Sequence, residues 1–407
     1  MRVTFFYAHH VCMADIREET LAQATWASLV ESAVMLRHDL HRHPELAWQE
    51  RRTASVIRER LSAAGIQWRA CADTGTVAVI APNAAGTPIA LRADIDALPL
   101  HEATNLSHTS TLSGCMHACG HDGHTATLFA ALWWLKQHES QLPGPVTLLF
   151  QPAEEGGHGA RKMIEDGALE GVSKIYGWHN WPAIPFGKAV CPDGAVMAAN
   201  GTFEIQLIGQ GGHASQPELC RDPVLAASAV TLALQQIVSR HLRPQDAAVV
   251  SVTSIDAKSA DTIIPDTARL SGSIRLAHDG IRARVEELIT SISQDTANAY
   301  GVRAEVKLFP RYGATINHAS AAANYRHALE AEFGASWHSR DTAMPIMASE
   351  DFSYYLNVIP GAYALVGADD NNGHAAPCHS PRYDFNDNLI RHMGRVYARL
   401  AGAPIPE

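Results

Sequence analysis

The chain has 407 residues, 46% of them hydrophobic and 18% charged, with a formal net charge of −10. That composition describes an ordinary globular protein with room for two domains, and it excludes a disordered chain. The acidic balance excludes a general nucleic-acid surface, and no apolar run approaches the ~18–20 residues that span a bilayer.

At the start, residues 1–12 hold one arginine and a short apolar piece interrupted by two histidines. No secretory signal is expected there, and either Met1 or Met13 can begin the chain. Seven cysteines without framework-like spacing fit a reducing cytoplasm. The pattern predicts a helix over 21–40, ended by Pro44, then a helix over 53–64 and strands over 77–81 and 89–94. A helix over 125–138, a strand over 146–151, a helix over 160–166 and a strand over 174–178 follow. This alternation implies an α/β layer with a largely parallel sheet.

From Gly201 the pattern changes. Strand 202–208, helix 223–240, strands 247–255 and 268–276, helix 281–300 and strand 303–309 give the order β-α-β-β-α-β, the ferredoxin-like plan. Helices over 319–333 and 350–356 and a strand over 363–367 then resume the first pattern. The expected fold is α/β: a large catalytic domain over 15–198 and 311–407, its mostly parallel central sheet flanked by helices. A ferredoxin-like domain over 199–310 is inserted into it.

Met116-His-Ala-Cys-Gly-His-Asp-Gly-His124 places one thiol and three imidazoles within nine residues. Such donors suit zinc, manganese or cobalt better than magnesium or calcium. A buried cysteine with helix-capping histidines would explain any one of these residues, but not all four together. Cys119 and His121 are the expected ligands; His117 and His124 are open between support and structure. Glu154-Glu155 follows an apolar strand and Gln-Pro. One carboxylate to hold a metal and one to move a proton is what metal-assisted hydrolysis requires.

Arg92, Asp94 and Asp96 share one face at a strand end, where a carboxylate can hold a metal or orient a ligating imidazole. His179 and His379 each follow a strand-like run, and donors gathered beyond strand ends fit one shared cleft. In the inserted domain, His213 on a Gly-rich turn can donate to an oxyanion, and Arg275 can grip a carboxylate. His38, His41 and His43, by contrast, read as packing or dimer-face residues.

Several segments together resemble the dimetal aminoacylase and carboxypeptidase superfamily. They are Leu36-Arg-His-Asp-Leu-His-Arg-His-Pro-Glu-Leu46, Leu91-Arg-Ala-Asp-Ile-Asp-Ala-Leu-Pro99, the Cys119 segment, Phe150-Gln-Pro-Ala-Glu-Glu155, Gly212-His-Ala214, Ser349-Glu-Asp-Phe352 and His379-Ser-Pro-Arg-Tyr-Asp-Phe385. The branch resembled is that of hippurate hydrolases, N-acyl-amino-acid amidohydrolases and auxin-conjugate hydrolases. The resemblance implies two divalent ions per subunit (Mn2+ or Zn2+, or Co2+ or Ni2+), held by Cys119, His121, Glu155, His179 and His379. It makes Glu154 the general base, sets Asp96 behind the ligands, and leaves Asp94 in a supporting place. It further implies that the inserted domain is a lid and the contact of a homodimer or homotetramer, with His213 reaching an oxyanion. The usual Asn-Val-Ile-Pro reads Thr262-Ile-Ile-Pro265 here, and a usual glycine is Lys258, so Thr262 stands at a substrate-binding place with altered chemistry.

The expected activity is a cytoplasmic, metal-dependent hydrolysis of small N-acyl (acetyl, benzoyl, aryl-acetyl) amino acids, with neither nucleic acid nor membrane as partner. Competing readings are a dipeptidase or carboxypeptidase of the same superfamily, a thiol hydrolase using Cys119, and a non-catalytic binding protein.

Overall fold

The structure is a computed structural model describing residues 16–407; Met1, Met13 and the domain edge at residue 15 lie outside the described residues. Two compact units form. The larger takes in the described residues up to Asp193, with Asn317–Thr342 and Tyr355–Glu407; the smaller is Gly194–Ile316 with Ala343–Tyr354. The segment Ala343–Tyr354, which the sequence groups with 311–407, packs with the smaller unit. The reason is backbone pairing: Ala198 N donates to Ile346 O and Ala348 O at 3.0 and 2.8 Å.

In the larger unit, α1 (Trp26–Arg42) and α2 (Arg51–Ala63) precede β1 (Trp68–Cys71), β2 (Gly75–Ile80) and β3 (Ile89–Asp94). Next come α3 (His121–Gln137), β4 (Val146–Gln151), α4 (Gly159–Glu165), β5 (Lys174–Pro185) and β6 (Ala189–Val190). The sheet order is β1-β2-β4-β3-β5, followed by Gly361–Asp369 and then β6. The four central strands run parallel, and antiparallel pairs close both edges. Helix α3 is buried on nearly every side, with Leu128, Phe129, Leu132 and Trp133 fully enclosed. A helix apolar all round needs cover all round; it packs against β3 on one side and against α1 and Asn388–Leu400 on others.

The smaller unit holds β7 (Ala199–Ile208), α5 (Pro223–Leu234), β8 (Ala248–Asp256), β9 (Thr267–Leu276), α6 (Arg282–Ala299) and β10 (Arg303–Pro310). Its antiparallel sheet has the order β8-β9-β7-β10. Alternate residues of β7 and β9 are buried, so one sheet face meets the helices and closes over Phe203, Ile205, Leu207, Leu270, Ile274, Val230 and Val285. Gly272 is required where it stands: a Cβ there would run into the ring of Phe203 and the carbonyl of Ser251. The chain ends with α7 (Ala319–Phe333), β11 (Gly361–Asp369) and α8 (Asn388–Leu400).

Several predicted elements change. Helix 223–240 stops at Leu234 and a π-helical turn covers Ile237–His241. Only Ser353–Leu356 is helical of 350–356, because the Glu350 carboxylate accepts from Phe352 N at 3.1 Å and holds that stretch in a turn. The strand expected over 174–178 runs on to Pro185, carried by its pairing with β11. Among the described residues no helix is long and apolar enough to cross a membrane.

Phe203 is fully buried in the core of the smaller unit. Phe203→Ala should cost about 3–5 kcal/mol by transfer and cavity terms, read as a drop in the denaturation midpoint. A loss under about 1 kcal/mol would contradict this packing.

Candidate metal centre

Strand β3 delivers Asp94 at its carboxyl end, and Asp96 follows two residues later. Helix α3 opens at His121, four residues earlier than the periodicity predicts, because Gly120 turns the chain at φ 92°. No other residue suits that position, since a Cβ would also collide with Asn180 Oδ1 and Tyr383 Oη. His121 and His124 therefore lie one turn apart at the start of α3. Glu154 and Glu155 follow the end of β4, His179 lies on β5, and His379 lies beyond β11.

The structure brings these residues together. Cys119 Sγ is 3.3 Å from His179 Nε2 and 3.4 Å from His379 Nε2, and Glu155 Oε1 is 3.2 Å from His379 Nε2. Donor atoms of Cys119, His121 and His179, of Cys119, Glu155 and His379, and of His121, Glu154 and Glu155 each lie within 4.8 Å of one another. The ring orientations suit a cation. His121 Nδ1 meets Asp96 O at 2.9 Å, and His179 Nδ1 meets Asn180 O at 2.6 Å. A carbonyl only accepts, so both Nδ1 atoms carry the proton, and each Nε2 turns a lone pair inward. His121 Nε2 is buried and makes no hydrogen bond among the described residues. Soft and borderline donors with an orphaned imidazole nitrogen fit a transition ion.

The other two histidines of the segment separate here. His124 has both nitrogens engaged, Nδ1 with Asp94 Oδ1 at 2.6 Å and Nε2 with Asn180 Oδ1 at 2.8 Å. It acts as a strut rather than a donor. His117 is buried without a hydrogen bond on either nitrogen, and burial pushes its imidazole down to about 4.

Electrostatics follow from burial. Desolvation would raise Asp94, but Arg92 Nη1 at 2.6 Å, with His121 and His124, holds it well below the usual carboxylate range. Burial would lower His121, yet Asp94, Asp96 and Glu155 raise it to about 10. A hydrogen bond with Cys378, then burial and the charge of Glu155, push the Cys119 thiol well up. Desolvation opposes ionisation of Glu155, but the His379 hydrogen bond keeps it low. Asp96 also anchors the glutamate loop, its Oδ2 accepting from Glu155 N at 2.9 Å.

Around the donors lies a layer that sequence reasoning did not find. Asn180 bridges His124 to Tyr383, donating to Tyr383 Oη at 2.7 Å. Buried Arg37 pairs with Asp122 at 3.1 Å and Asp384 at 2.6 Å. His41, fully buried with Nδ1 2.8 Å from Asp122, is a packing residue, which removes it from any dimer face. Glu50 accepts from Ala153 N at 2.9 Å and Thr74 Oγ1 at 2.7 Å, pinning the loop that carries Glu154. Its signal was weak, a lone acid after Gln49 with no patterned neighbour.

His213, Thr262, Lys258 and Arg275 belong to the smaller unit. His213 is exposed, pairs with Ile263 across a short two-stranded ladder, and takes Ser215 Oγ at 2.7 Å on Nδ1. Thr262 O accepts from Ala214 N at 2.9 Å, so the turn carrying His213 and Thr262 is one piece; Lys258 is exposed nearby in sequence. Half-buried Arg275, on β9, donates to Ser349 Oγ and has no carboxylate partner among the described residues. Desolvation and neighbouring Arg311 lower its pKa.

The family described as Peptidase family M20/M25/M40 matches residues 90–403. IAA-amino acid hydrolase ILR1-like 2 of Arabidopsis thaliana is 38% identical over 398 residues, 95% of this chain and 88% of that protein. N-acetyl-L-cysteine deacetylase of Bacillus subtilis is 38% identical over 365 residues, 89% of this chain and 86% of its own. The solved structure of the Bacillus subtilis YXEP protein, described as a dinuclear metal binding peptidase from the M20 family, superposes with a TM-score of 0.79 at 34% identity, covering 92% of this chain and 98% of that one.

Burial, with a smaller push from Asp96, raises the Glu50 carboxyl from 4.5 to about 7. A carboxyl that holds its proton more tightly when folded stabilises fully below its unfolded value and loses that contribution as pH rises through its folded one. Stability should therefore fall between about pH 5 and pH 7.5, and Glu50→Gln should recover on the order of 2 kcal/mol at the upper end. Denaturation midpoints across that range check it; parallel pH profiles for both proteins would refute it.

Proposed function

The chain belongs to peptidase family M20/M25/M40 and is a hydrolase, and on that premise we propose a metal-dependent amidohydrolase that cleaves small N-acyl amino acids. The observation that carries this reading is the inward Nε2 lone pair of His121, buried beside Cys119, Glu155 and two further imidazoles. Cys119, His121, Glu155, His179 and His379 would hold two divalent ions, Mn2+ or Zn2+, with Co2+ or Ni2+ as alternatives, and Cys119 belongs to two of the donor groups. When bound, such ions make water acidic near neutral pH and polarise a carbonyl.

The protein's own residues do the rest. Glu154, buried beside Glu155, takes the proton of the attacking water and returns it to the leaving nitrogen, so an amide becomes a carboxylate and an amine. Asp96 holds the His121 ring in place. His213 donates to the tetrahedral oxyanion. Arg275, which has no acidic partner among the described residues, binds the substrate carboxylate, and Thr262 takes the place that receives the amino-acid portion. The smaller unit is the lid and the contact of a homodimer or homotetramer. Exposed Leu225 and Leu232 on α5 and Val249 and Ile255 on edge strand β8 support that contact. Six free cysteines among the described residues support a cytoplasmic setting.

The relatives named IAA-amino acid hydrolase and N-acetyl-L-cysteine deacetylase favour acyl amino acids over dipeptides. A Cys119 hydrolytic nucleophile is disfavoured, because its sulfur belongs to two of the donor groups and is taken up there.

Glu154→Gln should keep its metal and lose at least about 1,000-fold in kcat, as expected when a proton-transfer group is removed. Metal content and turnover of acetyl, benzoyl, indoleacetyl and dipeptide substrates, with manganese, zinc and cobalt in turn, test this. Near-normal activity in the variant, or full activity after chelation, would overturn the reading.

A further inference from the structure

The proposed chemistry uses Cys119 but leaves its neighbour Cys378 without work. Cys378 immediately precedes His379, whose backbone N donates to Ala118 O at 2.7 Å, laying that loop along the Cys119 segment. Cys119 Sγ lies 3.4 Å from the ring of His379, the residue next to Cys378, and Cys378 is the leading influence on the Cys119 thiol. Asn180 Nδ2 lies 3.7 Å from Cys378 Sγ and fixes its place beside the donors. Exposure differs between the pair: Cys119 is buried at 8%, whereas Cys378 is only partly covered. A small oxidant therefore meets Cys378 first, with Cys119 behind it as the second thiol.

We propose that Cys119 and Cys378 are a reversible oxidation site, at which a peroxide joins them in a disulfide that withdraws the Cys119 sulfur from the metal donors. The proposal rests on the metal-hydrolase reading for its consequence, though not for the pairing itself. The chemistry balances with hydrogen peroxide as the oxidant. The Cys378 sulfur attacks one peroxide oxygen, the O–O bond breaks, and a sulfenic acid and one water form. The Cys119 sulfur then attacks the Cys378 sulfur, the S–S bond forms, and the hydroxyl leaves as a second water with the Cys119 proton. Two thiols lose two electrons and two protons, and one peroxide becomes two waters. Because Cys119 belongs both to the group with His121 and His179 and to the group with Glu155 and His379, one bond weakens two donor sets at once.

The test uses the metal-loaded full chain and Cys378→Ser, each exposed to hydrogen peroxide and then to dithiothreitol. Peptide mapping reads the cross-link, a chromogenic chelator reads released metal, and hydrolysis of an N-acyl amino acid is followed alongside. The parent should yield a Cys119–Cys378 linked peptide and release metal, and reductant with fresh metal should restore it. The variant, active before treatment, should give no such peptide and release metal at least about tenfold more slowly, having lost the thiol that meets the peroxide. Oxidation of the parent without that linked peptide, or equal metal release from the variant, overturns the proposal. Protein that hydrolyses its substrate before treatment yet never forms the cross-link with peroxide sinks the disulfide alone, leaving the hydrolase reading in place. A cross-link in protein that neither holds metal nor hydrolyses any amide supports the pairing and sinks the hydrolase reading instead.

Discussion

A carboxylate without exposure to water, Asp94, sits where β3 ends, and it remains charged there because Arg92, His121 and His124 surround it. An isolated buried charge is costly; one enclosed by paired and hydrogen-bonded partners is tolerated. The arrangement of the donors depends on this. Arg92 reaches Asp94 along the same strand, while His124 carries the link up into α3 and across to Asn180 on β5. Removing Asp94 would take from Arg92 a carboxylate contact at 2.6 Å and from His124 a partner at 2.6 Å in the first turn of α3. A second ring of charge, Arg37 with Asp122 and Asp384, ties α1 to that same turn and to the segment after His379. The polar first turn of an otherwise apolar helix is thus neutralised from two sides.

The donors themselves were legible because chemistry clusters them in sequence. Four soft or borderline ligands in nine residues, and paired acids after an apolar strand, stand out before any contact is known. The division of labour among them was not legible. The engagement of His124 by protein atoms depends on Asn180, a residue 56 positions away that carries no motif of its own. Charged residues far apart in the chain, such as Arg37 and Asp384, look like solvated surface until folding buries them.

The fold divides in the same way. Strands β3 and β4 follow their apolar runs, and the β-α-β-β-α-β order of the smaller unit follows its periodicity. Strand β1 escaped because three of its four residues are exposed and show no alternation. Helix α8 had a usable signal in Leu389, Ile390, Met393, Val396 and Tyr397, spaced for one buried face. The start of α3 was misplaced because Gly120 works through its left-handed turn, a backbone property that hydrophobic period does not report.

The backbone of His379 adopts φ 67°, and its side chain is 55% exposed, whereas Cys119, His121 and His179 are buried. Three donors are thus walled in, Glu155 is partly covered, and His379 stands at the doorway. An ion held there would exchange with solvent on the side where His379 stands, so its residence time would be set by a loop rather than by the sheet. The hold of the site on such an ion would then be partly kinetic, and open to tuning at residues that never touch the reacting bond.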